Sequence, residues 1–183
     1  RTVSGNRAPA QQILFFPDIT RVCQKFRFKL RYHRAWCIGG TGCQFAVADY
    51  HRDHPNQPLI GTEMGSTVTT RGIYEKDSIR AYVPDQDITA PWWASKAEDW
   101  WKLAAENNYW MGGFVWTGFD YRGEPTPYEW PNINSHFGVM DMCGFPKNIY
   151  YYYQSWWTDK DVLHISPHWN WPGQEGQKQR VMV

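Results

Sequence analysis

Long apolar runs are missing from this 183-residue sequence. With no stretch of about 18 apolar residues, no helical membrane span is expected. Charge of one sign is missing as well, since the formal net charge is +1. Cysteine is sparse: there are four, and the isolated Cys23 to Cys37 spacing matches no zinc pattern. The start of the chain lacks the marks of a signal peptide, because Arg1 to Ala10 is polar and Ile13 to Phe16 is too short for an apolar region. The first residue is not Met, so an upstream targeting segment and the compartment both stay open.

What is present in excess is aromatic. Twelve Trp and eleven Tyr occur in a chain long enough for one domain with its own core. Their flat apolar faces and polar edges suit stacking on the CH face of a sugar ring, and equally suit a core built from large side chains. For any single Trp the core is the simpler reading.

Charge divides the chain near residue 44. Residues 1–44 carry eight Lys/Arg and one acid (Asp18), a balance of +7, whereas the remaining 139 carry eleven Lys/Arg and seventeen Asp/Glu, a balance of −6. Cys23, Cys37 and Cys43 also fall in the first segment. No recognition motif accompanies the basic stretch, so nucleic acid is not expected as a partner.

From residue 45 the pattern alternates. Gln57 to Glu63 reads as a short apolar strand that ends on a carboxylate. A polar loop follows, then a helix from about Pro91 to Trp110, with Pro91 suited to its first turn and Thr89 to its cap. Trp93, Ala97, Trp100 and Ala104 repeat at helical spacing and form the packed face. Gly112 to Gly118 reads as a second strand, apolar throughout and buried on both faces. A Pro-rich loop runs from Tyr121 to Pro146, and an aromatic helix from about Asn148 to Trp157 closes the unit. Strand, helix, strand, helix predicts a parallel α/β arrangement, the size of the last quarter of a TIM (β/α)8 barrel. Val162 to Ser166 and Lys178 to Val183 read as strands that open a following β-sandwich module.

An acid at the C-terminal end of a barrel strand stands where barrel enzymes place their catalytic groups. Glu63 holds that position, although a surface Glu at a strand end looks the same. Asp49, His51, Asp53 and His54 have metal-binding side chains, but a solvated face explains them better, and no metal or other cofactor is expected.

Pro58-Leu59-Ile60-Gly61-Thr62-Glu63-Met64-Gly65 resembles the strand-seven motif of glycoside hydrolase family 2, and Gly112-Gly113-Phe114-Val115-Trp116 resembles its strand-eight motif. Gly118 to Pro125, Phe137-Gly138, Gly144-Phe145-Pro146-Lys147 and His168-Trp169-Asn170-Trp171 with Gly173-Gln174-Glu175-Gly176 are similar to a β-galactosidase-like branch of that family. The resemblance covers residues 45–183, with 45–160 as the last barrel units and 161–183 as a linker and the start of the sandwich. It breaks in residues 1–44, where the family's Gly-Tyr-Asn-Tyr-Gln motif is replaced by Gly40-Thr41-Gly42-Cys43-Gln44. That segment therefore reads as non-native sequence, of the kind a frame error would produce.

The resemblance implies a retaining mechanism with Glu63 as nucleophile and a β-galactoside as the carbohydrate substrate. It implies Trp116 as the sugar platform and Asn134 and His136 as polar groups facing sugar hydroxyls. Asp120 can either hydrogen-bond substrate or brace Arg122, of which bracing is the expectation, with Glu124 and Glu129 on the rim. The family's acid/base Glu follows an Asn at a strand end, and no such dipeptide occurs here, so that residue is expected outside this chain. The same machinery acting on β-glucuronides or β-mannosides, and a non-catalytic sugar-binding or inactive chain, remain as alternatives.

Overall fold

The computed structural model describes residues 43–183; the expectations placed on residues 1–42 lie outside them. Five elements follow in order: α1 (Cys43–Asp53), β1 (Leu59–Gly65), α2 (Ala97–Glu106), β2 (Trp110–Trp116) and α3 (Asn148–Trp157). β1 and β2 form a two-stranded parallel sheet in which Leu59 pairs with Trp110, Gly61 with Gly113, Met64 with Val115 and Gly65 with Trp116. Parallel strands need a long crossover, and residues 66–109, including α2, supply it.

The two strands approach closely at paired glycines. A Cβ on Gly113 would stand 2.5 Å from Met64 Cγ and 3.0 Å from the Gly61 carbonyl oxygen. Met64, 4% exposed, fills the space that two ordinary side chains would contest.

Part of the aromatic excess builds the core, while Trp92, Trp116, Trp130, Trp156 and Trp169 are exposed. Trp100 and Trp101 on α2 pack with Tyr153 and Trp157 on α3 over Met64 and Trp110 of the sheet. Trp100 is 2% exposed, and its indole N–H donates to the Tyr153 hydroxyl at 2.9 Å, so the one polar atom of each ring is satisfied inside the core. A smaller cluster of Val68, Val83 and Phe137, joined by Trp93, Tyr121 and Tyr128, lies under the loops after β1 and β2.

α2 is shorter than its pattern predicts. Pro91 opens a separate turn, in which the Ala94 N–H donates to the Pro91 carbonyl at 3.0 Å. Thr89 is not the cap. The Asp87 carboxylate instead accepts from the N–H groups of Ala97 and Glu98 at 2.9 and 2.7 Å, so the first regular turn starts at Ala97. Those two donors have no partner inside the helix, and a carboxylate there also meets the positive end of the helix dipole. Asn107 ends α2 in an extended conformation, its side-chain amide donating to the Leu103 carbonyl at 2.7 Å. Of the expected stripe, Ala97, Trp100 and Ala104 are buried on α2, whereas Trp93 lies before the helix in the second cluster.

The second strand is less enclosed than its apolar run suggests, because Phe114 and Val115 are half-buried and Trp116 is exposed. In the tail, Ser166 and Met182 form a single antiparallel bridge with hydrogen bonds of 2.9 and 2.7 Å, and residues 162–166 are not a strand. One bridge has no further neighbours to extend it. On α1, Arg52 lies 2.6 Å from Asp49 and 3.2 Å from Asp53, and His51 stacks on Tyr109 with ring centroids 3.7 Å apart. These exposed ion pairs are the solvated face expected there. Among the described residues no helix is long and apolar enough to cross a membrane.

Candidate active site

Glu63 is half-buried two residues before the end of β1, next to Met64 in the core, where the pairing with β2 shifts register between Gly61 and Met64. The Ser66 N–H donates to the Trp116 carbonyl at 3.1 Å and ties the C-terminal ends of the two strands together. Glu63 and Trp116 therefore sit at the same end of the sheet. Trp116 is the last residue of β2 and is 38% exposed.

The loop after β2 folds back over this end. The Trp116 indole N–H donates to the Tyr121 hydroxyl at 3.2 Å, and the two rings stand nearly perpendicular with centroids 6.1 Å apart. The Tyr121 hydroxyl in turn donates to the Glu124 carboxylate. Burial, the hydrogen bond to Glu124 and the negative charges of Glu124 and Glu63 push the Tyr121 hydroxyl up to about 12, so it keeps its proton at neutral pH. Trp116, Tyr121 and Glu124 thus form one hydrogen-bonded series at the end of β2.

Asn134 and His136 lie further along the loop. The Asn134 side-chain carbonyl accepts from Arg122 at 2.7 Å, and the two residues pair in an antiparallel bridge. His136 is 6% exposed. Its Nε2 accepts from the Asn132 amide at 3.3 Å, which leaves Nδ1 to carry the proton toward Thr70 Oγ1 at 3.2 Å. Burial, with the Lys147 charge adding to it, pulls the His136 imidazole down to about 4, so the ring is neutral at pH 7.

Asp120 does not brace Arg122. It accepts from the Lys147 ammonium and from the Gly138 N–H, both at 2.8 Å. Lys147 is 1% exposed, and its ammonium also donates to the carbonyls of Thr69 at 2.7 Å and His136 at 3.3 Å. Burial lowers the Lys147 pKa and raises that of Asp120, and the attraction between the two offsets both shifts. The correction has a simple cause: a buried ammonium needs a charged partner more than an exposed guanidinium does.

Sequence reasoning overlooked the roles of Tyr121, Lys147 and Asp87. A lysine within Gly-Phe-Pro-Lys, just ahead of an aromatic helix, was the available signal for the buried ammonium. Among the described residues, no group of three or more His, Cys, Asp or Glu side chains is arranged to hold a metal ion.

No family model matches the chain. It is 45% identical over 139 residues to the β-galactosidase BoGH2A of Bacteroides ovatus, a match covering 66% of this chain and 16% of that protein. It is 40% identical over 78 residues to a putative β-glucuronidase of Formosa agariphila, covering 42% of this chain and 8% of that one. Among solved structures, a β-glycosidase from Bacteroides vulgatus superposes with a TM-score of 0.63 at 30% identity, covering 74% of this chain and 21% of that chain. A β-glucuronidase of Bacteroides uniformis superposes with a TM-score of 0.50 at 25% identity, covering 68% and 14%. The chain spans less than a quarter of the length of these relatives. Over the residues that match, the chain is similar to proteins named as a β-galactosidase, a putative β-glucuronidase and a β-glycosidase.

Proposed function

We propose that this chain contributes the nucleophile side of the active site of a retaining β-glycosidase built on a TIM barrel, with β-galactosides as substrate. The observation that carries the reading is the placement of Glu63 and Trp116 at the same end of two parallel, hydrogen-bonded strands. A carboxylate at a strand's C-terminal end beside an exposed aromatic face is suited to bond to a sugar while the ring stacks.

In the first step the Glu63 carboxylate attacks the anomeric carbon, the glycosidic C–O bond breaks, and the leaving oxygen takes a proton from a second carboxylic acid. Water, deprotonated by that second group, then releases the sugar from Glu63. The two carboxyl groups of a retaining pair stand roughly 5–5.5 Å apart. We assign the second one to a part of the protein outside these residues, because the resemblance implies a Glu that follows an Asn at a strand end and no Asn-Glu dipeptide occurs here. Asn134 faces the sugar from the loop, its amide direction set by Arg122. His136, with both ring nitrogens partnered, contributes by fixing Asn132 and Thr70.

The β-galactoside reading draws on the more identical match, to the β-galactosidase. A β-glucuronide is the second reading, supported by three β-glucuronidase relatives. Turnover of nitrophenyl β-galactoside, β-glucuronide and β-mannoside by the complete gene product separates these readings. Mechanism-based fluorosugar labelling and peptide mapping then test the nucleophile: the label is expected on Glu63, and a label on another carboxylate would refute the assignment.

A further inference from the structure

We propose that Tyr121 is a positioning residue that fixes the rotation of the Trp116 indole beside Glu63, with Glu124 holding the Tyr121 hydroxyl in the required orientation. The role in turnover rests on the glycosidase reading above; the orientation itself does not.

The direction of each hydrogen bond follows from the chemistry of the groups. An indole N–H only donates, so at 3.2 Å the Tyr121 oxygen accepts from Trp116. The single Tyr121 O–H is then committed to Glu124, whose carboxylate oxygen accepts it. The sequence Trp116 to Tyr121 to Glu124 has one polarity and no alternative pattern. The hydroxyl stays protonated near neutral pH, pushed up to about 12, so the arrangement persists across the working range of a glycosidase.

Tyr121 can hold Trp116 because its own backbone is fixed from elsewhere. Its N–H donates to Ser135 Oγ at 3.0 Å, and the Ser135 N–H donates back to its carbonyl at 2.8 Å. These bonds anchor it to the returning segment of the loop at Ser135 and not to β2. Trp116, by contrast, ends its strand 38% exposed. A sugar platform needs one face at one angle, and a partly exposed side chain at a strand end retains rotamer freedom unless something removes it. The perpendicular Tyr121 ring and the bond to its hydroxyl remove it.

The test is a double-mutant cycle in the complete gene product, using Tyr121→Phe, Trp116→Phe and the pair, with nitrophenyl β-galactoside. Tyr121→Phe keeps the ring and removes the acceptor; the expected result is a rise in KM of about five-fold, the size of one hydrogen bond, with kcat changing less. In the Trp116→Phe background the same change is expected to have no further effect, because the N–H that the hydroxyl serves is already gone. Equal effects in the two backgrounds would overturn the proposal. A second measurement does not depend on turnover: in protein labelled with 5-fluorotryptophan, the Trp116 fluorine resonance is expected to shift or broaden in Tyr121→Phe. An unchanged resonance overturns the proposal even if hydrolysis is lost for another reason. Should Tyr121→Phe melt early, Glu124→Ala is read in the same cycle and by the same resonance, with the same expected and overturning results. Loss of turnover in Glu63→Ala tests only the glycosidase reading, so the two failures stay distinct.

Discussion

The Lys147 ammonium and the Asp120 carboxylate meet at 2.8 Å in the interior, joining the start of α3 to the loop that follows β2. The same ammonium donates to Thr69 in the loop after β1 and to the His136 carbonyl, so all three of its N–H directions are used. One buried cation therefore gathers three chain segments around the end of the sheet that carries Glu63 and Trp116. Burying it unpaired would cost several kcal/mol.

Removing one partner should be worse than removing both. Lys147→Met leaves the Asp120 carboxylate buried without its cation and is expected to destabilise by about 3–5 kcal/mol. Lys147→Met with Asp120→Asn should recover part of that loss. Urea denaturation of the three proteins measures it, and a double variant no more stable than Lys147→Met would contradict the pairing.

Two buried groups beside Lys147 should pull stability in opposite directions as pH changes. Burial raises Asp85 from 3.8 to about 6 against its bonds from Gly72 and Asn148. Its contribution is complete below pH 3.8 and is lost as pH rises through 6. His136 is lowered from 6.5 to about 4, so its contribution is complete above pH 6.5 and is lost as pH falls through 4. Each shift corresponds to roughly 3 kcal/mol, and between pH 4 and 6 the two largely cancel. Relative to the parent, Asp85→Asn should gain stability as pH rises through this window, and His136→Gln should lose it. Denaturation curves at pH 4, 5 and 6 with parallel slopes for both variants would refute the scheme.

The cap supplied by Asp87 should be worth about 1–2 kcal/mol. Asp87→Ala is expected to lower the melting temperature, with Asp87→Asn retaining part of the effect through its side-chain oxygen. Thr89→Ala, at the residue that local pattern favours as the cap, should have the smaller effect. The reverse order in a thermal melt would return the cap to Thr89.

Gly138 should not tolerate even a methyl group. A Cβ there would stand 2.2 Å from both the Asp120 nitrogen and the Met140 carbonyl oxygen, atoms of the backbone that cannot swing aside. Gly138→Ala is expected to cost at least about 1–3 kcal/mol. Gly118, where an added methyl would meet nothing within 4 Å, should accept Ala with little change. Matched melting temperatures for the two variants would contradict this packing.

Local pattern was enough for a large part of the architecture. α3 spans Asn148–Trp157 as its aromatic spacing predicts, and β1 and β2 lie within two residues of their expected positions, whereas the strands expected at 162–166 and 178–183 reduce to one bridge. Glu63 near the end of β1 and the packed face of Ala97, Trp100 and Ala104 were equally legible, since both depend on periodicities of two and 3.6 residues along one segment. The hydrogen-bonding partners were not. Asp87 caps a helix that begins ten residues later, Lys147 reaches Thr69 across 78 residues, and Asp120 turns to that lysine and away from its neighbour Arg122. By itself the sequence determined where the two paired strands and α3 lie and which residues of α2 form its packed face, because those preferences are local. Only the tertiary structure decided which polar group meets which, because that depends on the segments brought together when the apolar faces are buried.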